Sequence, residues 1–548
     1  MRVKLDGALI IDGWKDQGPT TYTAVRAMSA GDHVLVVEHY EMYGDATAKF
    51  TVTGGATPPP PSTGTAQIGR WSSSATAMPL RAMRATLLRD GRVLLLAGSG
   101  NNYNDFLAGS FKTSVWNPVT NTFTNITTPQ DMFCSGHVTL PDGRVLIQGG
   151  TEFYAGTPES ASFKGLRSNN IFDPTTNTYS RTNDAIDGHW YPTLTKLENG
   201  DVWAAGGYSA TGGGSTITEM FSSGAGRWLS AAEVPQTGRY LGLYPHMFLL
   251  ADRRMFYTGG HTFGDQQPGT GLFIYDWRAK TMGDIPGLRE GGLRDQAGSV
   301  LLPPTQAQKF MIAGGGSTDN GGTTNSVDIV DMSAPSPSRR PGPALRGPGR
   351  LYLNLTPLPD RTVLAANGGT GNRTGAVTVA ALYSPASNTW QPIDPDPISR
   401  NYHSASVALP DGRVAVFGSN PADGSHELRV SIYEPPYLFK GTRPTVAAPD
   451  STSYGATILL NVTGNVVSAS LLAPMSSTHQ TDTNVRLVDL PISGTATTRS
   501  AVVPTNSALL PPGPYVFTVL EDKGAVSTAK WVNVRRRNVW RLSCLWWG

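Results

Sequence analysis

The sequence predicts an all-β fold built on a seven-bladed propeller, on three observations: a turn-rich composition, a hairpin unit repeated seven times, and few windows of helical period. Hydrophobic residues make up 39% and charged ones only 16%, with 62 Gly and 41 Pro. Short strands joined by tight turns need that load of Gly and Pro, because each turn type demands residues that tolerate its backbone angles. The repeated unit is an apolar strand, a turn of the D-G kind, a second apolar strand and a Gly pair. It reads, with some units degenerate, LLRDGRVLLLAGS, TLPDGRVLIQGG, KLENGDVWAAGG, LLADRRMFYTGG, LLPPTQAQKFMIAGGG, PLPDRTVLAANGG and ALPDGRVAVFGS. D-G and N-G between alternating strands are strong hairpin signals.

The first glycine closing each unit, or its equivalent, falls at Gly98, Gly149, Gly206, Gly259, Gly314, Gly368 and Gly418, so the interval runs from 50 to 57 residues. A period of that size is the kelch signature, one four-stranded blade per repeat. Most units continue into a third and fourth strand ending in an aromatic residue: VWNPVTNTF, IFDPTTNTY, MFSSGAGRW, LYSPASNTW. Seven blades closed into a ring leave only short sheet edges. The propeller is expected over residues 67–437.

The flanks differ from the repeats. Residues 57–66, beginning TPPPPSTG, read as a stiff Pro-rich linker. Residues 438–535 alternate strands with turn signals, as in an immunoglobulin-like β-sandwich. Residues 536–548, which carry Cys544, fit neither domain and are unassigned. Residues 1–56 hold strand-like runs such as ALIIDGW and HVLVVEHYE and resemble the second half of a PA14 β-barrel, a module associated with carbohydrate binding. The opening residues have no apolar stretch with a cleavage site, so no signal peptide is visible. Half a barrel is an odd place for a natural start, which suggests that the true N-terminus lies upstream.

Charge and cysteine usage exclude several classes. A formal net charge of +3, with Lys and Arg interspersed among Asp and Glu, offers no basic stripe for nucleic acid. No run of 18 apolar residues is present, so no membrane span is expected. Two cysteines, Cys134 and Cys544, build neither a disulfide framework nor a zinc site.

In a propeller the innermost strand of each blade lines the central channel, so residues at one repeat position stand at one height around the axis. Fifteen residues before each closing glycine stand Met83, Cys134, Tyr191, Tyr244, Ser299, Leu353 and His403, with Tyr402 beside the last. A lone Cys is commonly a small buried hydrophobe and Tyr is at home in strands. Their shared register is what brings a thiol, a phenol and an imidazole to one ring.

Longer segments carry a family resemblance. DMFCSGHVTLPDGRVLIQGG, HWYPTLTKLENGDVWAAGG and RNYHSASVALPDGRVAVFGSNP resemble three blades of the copper radical oxidases, the glyoxal oxidase and galactose oxidase family. EPPYLFKGTRP resembles the junction to that family's C-terminal sandwich, and MSSTHQTDTNVRLVDL the sandwich loop that returns to the channel. The likeness runs from about Trp71 to Val534.

The resemblance implies a Cys134–Tyr191 thioether as a radical cofactor. It implies one copper ion held by Tyr191, Tyr402, His403 and His479, and catalytic roles for Cys134, Tyr191 and Tyr402. Two imidazoles and two phenolates form an N,O set that suits Cu(II). Tyr402 would be the general base and Tyr191 the hydrogen-abstracting radical. The sequence departs from the family at Gln480 and Val485, where Ser and Gln are usual. It also has Tyr208 or Ser209 where galactose oxidase stacks a Trp on the cross-linked tyrosine.

FCSG, WYPT, LYP and GSNP are more like the glyoxal oxidase branch. The expected activity is therefore oxidation of small aldehydes (glyoxal, methylglyoxal, glycolaldehyde) to acids, with O2 reduced to H2O2. A primary-alcohol or galactose oxidase is the alternative within the family. The alternative from another class is a non-catalytic kelch propeller that binds glycan or protein. The family implies secretion, and a monomer is expected, with carbohydrate as a possible ligand of the PA14-like piece.

Overall fold

A computed structural model describes residues 1–15, 20, 22, 24, 33–40, 64–263, 271–319, 321–495 and 497–535. Most of the Pro-rich linker and the tail with Cys544 lie outside the described residues. The chain divides into two units, Met1–Pro61 and Ser62–Gly548. In the first, Arg2–Leu5 is the central strand of an antiparallel sheet between Ala8–Asp12 and Leu35–Glu38.

The second unit is nearly all strand. Seven sheets follow one another along the chain, each starting from a buried innermost strand: Arg84–Leu87, Gly136–Thr139, Thr193–Lys196, Met247–Leu249, Gly298–Leu301, Asn354–Pro357 and Ala405–Ala408. We number the blades 1 to 7 in that order. Burial falls outward, so the fourth strand of blade 1, Thr122–Thr127, has no buried residue. The last blade takes its outermost strand, Arg70–Ser73, from the start of the unit, with Tyr433 opposite Trp71. The inner strands of blades 7 and 1 lie side by side, which closes the ring.

The repeat chemistry is local. In the D-G-R turns Asp90, Asp142 and Asp411 each accept the amide of the arginine two residues on, at 3.0–3.1 Å. This is the short Asp side chain bonding its own turn. The closing glycines answer a different need. A Cβ on Gly418, at φ 80°, would stand 2.1 Å from the His403 carbonyl oxygen, so only glycine lets the second strand pass behind that residue.

After the 3-10 turn Pro436–Phe439 the chain forms two facing sheets. One contains Thr457–Val462 and Thr498–Val502; the other is centred on Gly513–Glu521 and Val466–Leu472. Strict alternation of exposure along Thr457–Val462 turns Ile458, Leu460 and Val462 onto Leu471, Phe517 and Val519, the core of the sandwich. Among the described residues no helix is long and apolar enough to cross a membrane.

Candidate active site

Five residues occupy one backbone position, two before an innermost strand: Cys134, Tyr191, Gln296, Tyr352 and His403, with φ of 61, 71, 57, 64 and 61°. Tyr244 stands one residue further from its strand, at φ 44°. Left-handed backbone costs a non-glycine residue about 1 kcal/mol or more, and such strain clusters at functional sites. The fifteen-residue count therefore locates Cys134, Tyr191, Tyr244 and His403 and misses in blades 5 and 6. There Gln296 and Tyr352, not Ser299 and Leu353, hold the position. Blade 5 has a longer hairpin containing the turn Thr305–Ala307, and in blade 6 Asn367 intervenes before Gly368.

The sandwich contributes His479 through a strand of its own. Ser476–Thr478 pairs antiparallel with Arg84–Leu87 as an extra innermost strand of blade 1. Thr478 and Thr481 then exchange amide-to-carbonyl bonds of 3.1 and 3.0 Å around His479 and Gln480. Both central residues have positive φ, 45° and 67°, as a type I′ turn requires. Asp482 holds the loop by accepting the amides of Ser476 at 2.6 Å and Asn484 at 2.9 Å. Asn484 in turn accepts the amide of Lys196 in blade 3 at 2.7 Å.

These elements bring the five predicted side chains together, each at most 5% exposed. The Tyr191 hydroxyl lies 3.1 Å from His479 Nε2 and 3.4 Å from His403 Nε2, and in short contact with the Tyr402 hydroxyl. The two imidazole planes cross at 89° with centroids 4.5 Å apart. Donor atoms of Cys134, His403 and His479 all lie within 4.8 Å of one another. Burial holds both imidazoles well below the usual histidine range, so they are neutral and able to bind a metal. Burial likewise pushes the Cys134 thiol and both phenols up, so on their own they keep their protons.

The tautomer of His479 follows from its other nitrogen. Nδ1 is 2.6 Å from the Thr478 hydroxyl, which donates to the Met83 carbonyl at 3.0 Å. A hydroxyl whose proton is committed to a carbonyl can only accept, so Nδ1 carries the hydrogen and Nε2 presents its lone pair to Tyr191.

Three neighbours escaped the reading of the sequence. Arg84 is completely buried and no carboxylate pairs with it among the described residues. Its guanidinium donates to the carbonyls of Ser135 at 2.6 Å and Met132 at 3.2 Å, and to the Tyr244 hydroxyl. Burial lowers its pKa, but the facing Tyr244 and Cys134 raise it overall, so the charge stays. Tyr244 packs on Tyr191 at 4.5 Å and on His479 at 4.9 Å; its place in the ring of positions was the available signal. Tyr352, at 5.4 Å from Tyr402, was one residue from the counted position.

The cover over Tyr191 also differs from expectation. It comes from Trp190, the preceding residue, with ring centroids 4.2 Å apart and planes at 53°. Tyr208, in the place after the Gly pair, stacks on Trp190 at 5.6 Å and 11°.

The chain is similar to several known proteins. Residues 443–534 match the family model "Galactose oxidase-like, Early set domain". A WSC domain-containing protein of Arthroderma benhamiae is 29% identical over 74% of this chain; the chain spans 46% of that relative's length. A galactose oxidase of Gibberella zeae is 24% identical over 85% of the chain and 71% of its own length. The aldehyde oxidase GLOX of Vitis pseudoreticulata is 27% identical over 74% of the chain and 82% of its own length. A solved fungal alcohol oxidase in complex with copper shares the fold, with a TM-score of 0.72 at 18% identity, covering 85% of this chain and all of that one.

Proposed function

The chain belongs to the copper radical oxidases of the galactose oxidase type, and from that premise we propose that it oxidises small aldehydes to carboxylic acids and releases hydrogen peroxide. The observation that carries the proposal is the convergence of two phenol oxygens and two bare imidazole nitrogens beside a buried thiol.

The residues fit a copper ion by the chemistry of the donor set. Neutral imidazole nitrogen and phenolate oxygen are ligands that suit Cu(II), and His479 already has its second nitrogen satisfied. Tyr191, Tyr402, His403 and His479 would hold the ion. Bound there, copper would supply one oxidising equivalent and the Lewis acidity that lowers the pKa of a ligand proton.

The remaining work falls to side chains. Cys134 joins Tyr191 through a thioether, which lowers the cost of removing an electron from the phenol. An aldehyde enters as its hydrate, which presents a hydroxyl and a C–H bond on one carbon. Tyr402, which would be a phenolate where copper lowers its pKa, takes the hydroxyl proton as general base. The Tyr191 oxygen, as a radical, takes the hydrogen atom from carbon; the oxidising equivalent that copper would supply there accounts for the second substrate electron. Dioxygen then accepts two electrons and two protons and leaves as H2O2. The preference for aldehydes rests on the wording of the FCSG, WYPT, LYP and GSNP segments.

The test is peroxide release by copper-loaded, preoxidised protein offered glyoxal, methylglyoxal, glycolaldehyde, galactose and simple primary alcohols. Peroxide from the aldehydes is expected. Peroxide from alcohols alone would move the chain to the alcohol oxidases, and silence with no copper bound would favour a binding propeller.

A further inference from the structure

We propose that Trp190 and Tyr208 form an electron-exchange route between buried Tyr191 and the protein surface, by which a one-electron, outer-sphere oxidant in solution sets the oxidation state of Tyr191. The inference rests on the reading of Tyr191 as the residue that stores the radical.

Tyr191 is 1% exposed, so a soluble oxidant does not touch it, and neighbouring side chains offer the electron a stepwise exit. Three oxidisable rings adjoin it: Trp190 at 4.2 Å, Tyr244 at 4.5 Å, and Tyr402 through its hydroxyl. Two of these exits are guarded by cations. Arg84 lies 5.7 Å from the Tyr244 ring centroid and Arg373 lies 5.4 Å from that of Tyr402. A cation on a ring face stabilises the electron-rich ring and opposes removal of an electron, the more so in a buried setting.

Trp190 carries no such contact among the described residues. It is sandwiched between Phe163 at 4.1 Å and 9° and Tyr208 at 5.6 Å and 11°. Phenylalanine is not oxidised at potentials that tyrosine and tryptophan reach, so the outward step is to Tyr208, which is only partly buried. Burial, and after it Asp319, hold the Tyr208 phenol above its ordinary range, so the ring carries its proton at rest. The indole N–H donates to the Thr151 hydroxyl at 3.1 Å, which holds its proton while charge passes through the ring.

The step balances simply. One electron leaves Tyr191, which has no proton to lose when held as a phenolate, and one electron reduces the oxidant. Tyr208 releases its phenolic proton to water as it gives up an electron. It recovers a proton when the electron from Tyr191 arrives by way of Trp190.

The experiment mixes reduced, copper-loaded, cross-linked protein with hexacyanoferrate(III) and follows the Tyr191 radical by stopped-flow absorbance and electron paramagnetic resonance. Tyr208→Phe keeps the ring and the packing; it should slow radical formation by about tenfold or more while leaving turnover of preoxidised enzyme unchanged. Trp190→Phe should slow radical formation as well. Prolonged oxidant should leave oxidation products at Trp190 and Tyr208, read by peptide mass spectrometry. Equal rates in the wild type and both variants would overturn the route alone. Absence of any radical in wild-type protein with copper bound and the thioether formed would overturn the reading of Tyr191, and the route with it.

Discussion

The amide of Tyr191 donates to the carbonyl of Cys134 at 2.8 Å, so the backbones of two neighbouring blades clamp the thiol and the phenol side by side. Tyr244 makes the same bond to the Tyr191 carbonyl at 2.7 Å. The proximity of thiol and phenol is thus supported by main-chain bonds between neighbouring blades.

Cross-linking should follow from that proximity once copper and oxygen are supplied. The peptides containing Cys134 and Tyr191 are expected to run as one species lacking two hydrogens. Cys134→Ser should fold normally, show two separate peptides, and lose turnover by at least about a hundredfold. Peptide mass spectrometry and the peroxide assay check this; an active Cys134→Ser protein would sink the thioether.

Thr478→Val removes the acceptor that orients His479 without touching the proposed ligands. Copper affinity should fall by about tenfold to a hundredfold, read by competition with a chelator of known strength. Thr478→Ser should restore it.

Asp482 is fully buried and desolvation raises its pKa from the ordinary 3.8 to about 6. A carboxyl raised in the folded state binds more protons folded than unfolded. Its contribution is therefore complete below about pH 4 and is lost as pH rises through about 6, at a cost on the order of 3 kcal/mol. Asp482→Asn should flatten the fall in stability between those pH values. Urea denaturation across that range checks the slope.

Arg84→Met replaces a buried cation by an apolar chain of similar length. Two carbonyls lose their donor, so stability should drop by about 2–4 kcal/mol. The Tyr191 radical should form at lower potential, because a positive charge no longer opposes it. Redox titration of the radical signal separates this effect from the loss of stability.

Much of the fold and most of the candidate site were legible in the sequence. The D-G-R hairpins and closing glycines are local chemistry, and their spacing reported seven blades. Cys134, Tyr191 and His403 could be drawn together by counting, because equal blades put equal positions at one height. Counting failed at Ser299 and Leu353 for the same reason it worked elsewhere: it assumes equal hairpins, and blades 5 and 6 are longer.

His479 was reached through a resemblance alone, since nothing in the spacing ties a sandwich loop to blade 1. The strand Ser476–Thr478, bonded to Arg84–Leu87, supplies the physical tie.

By itself the sequence determined the strand-rich class, the repeat and the register of the blades with equal hairpins, because hairpins and periodicity are encoded within a few residues of themselves. Only the tertiary structure decided what surrounds Tyr191. Arg84 comes from blade 1, Tyr244 from the approach to blade 4 and His479 from the sandwich, and no local pattern links them to Tyr191; Trp190 is its chain neighbour, but only the fold lays that ring against it. Their side chains meet because seven twisted sheets close on one axis, and the loop lengths between the sheets set which rings touch.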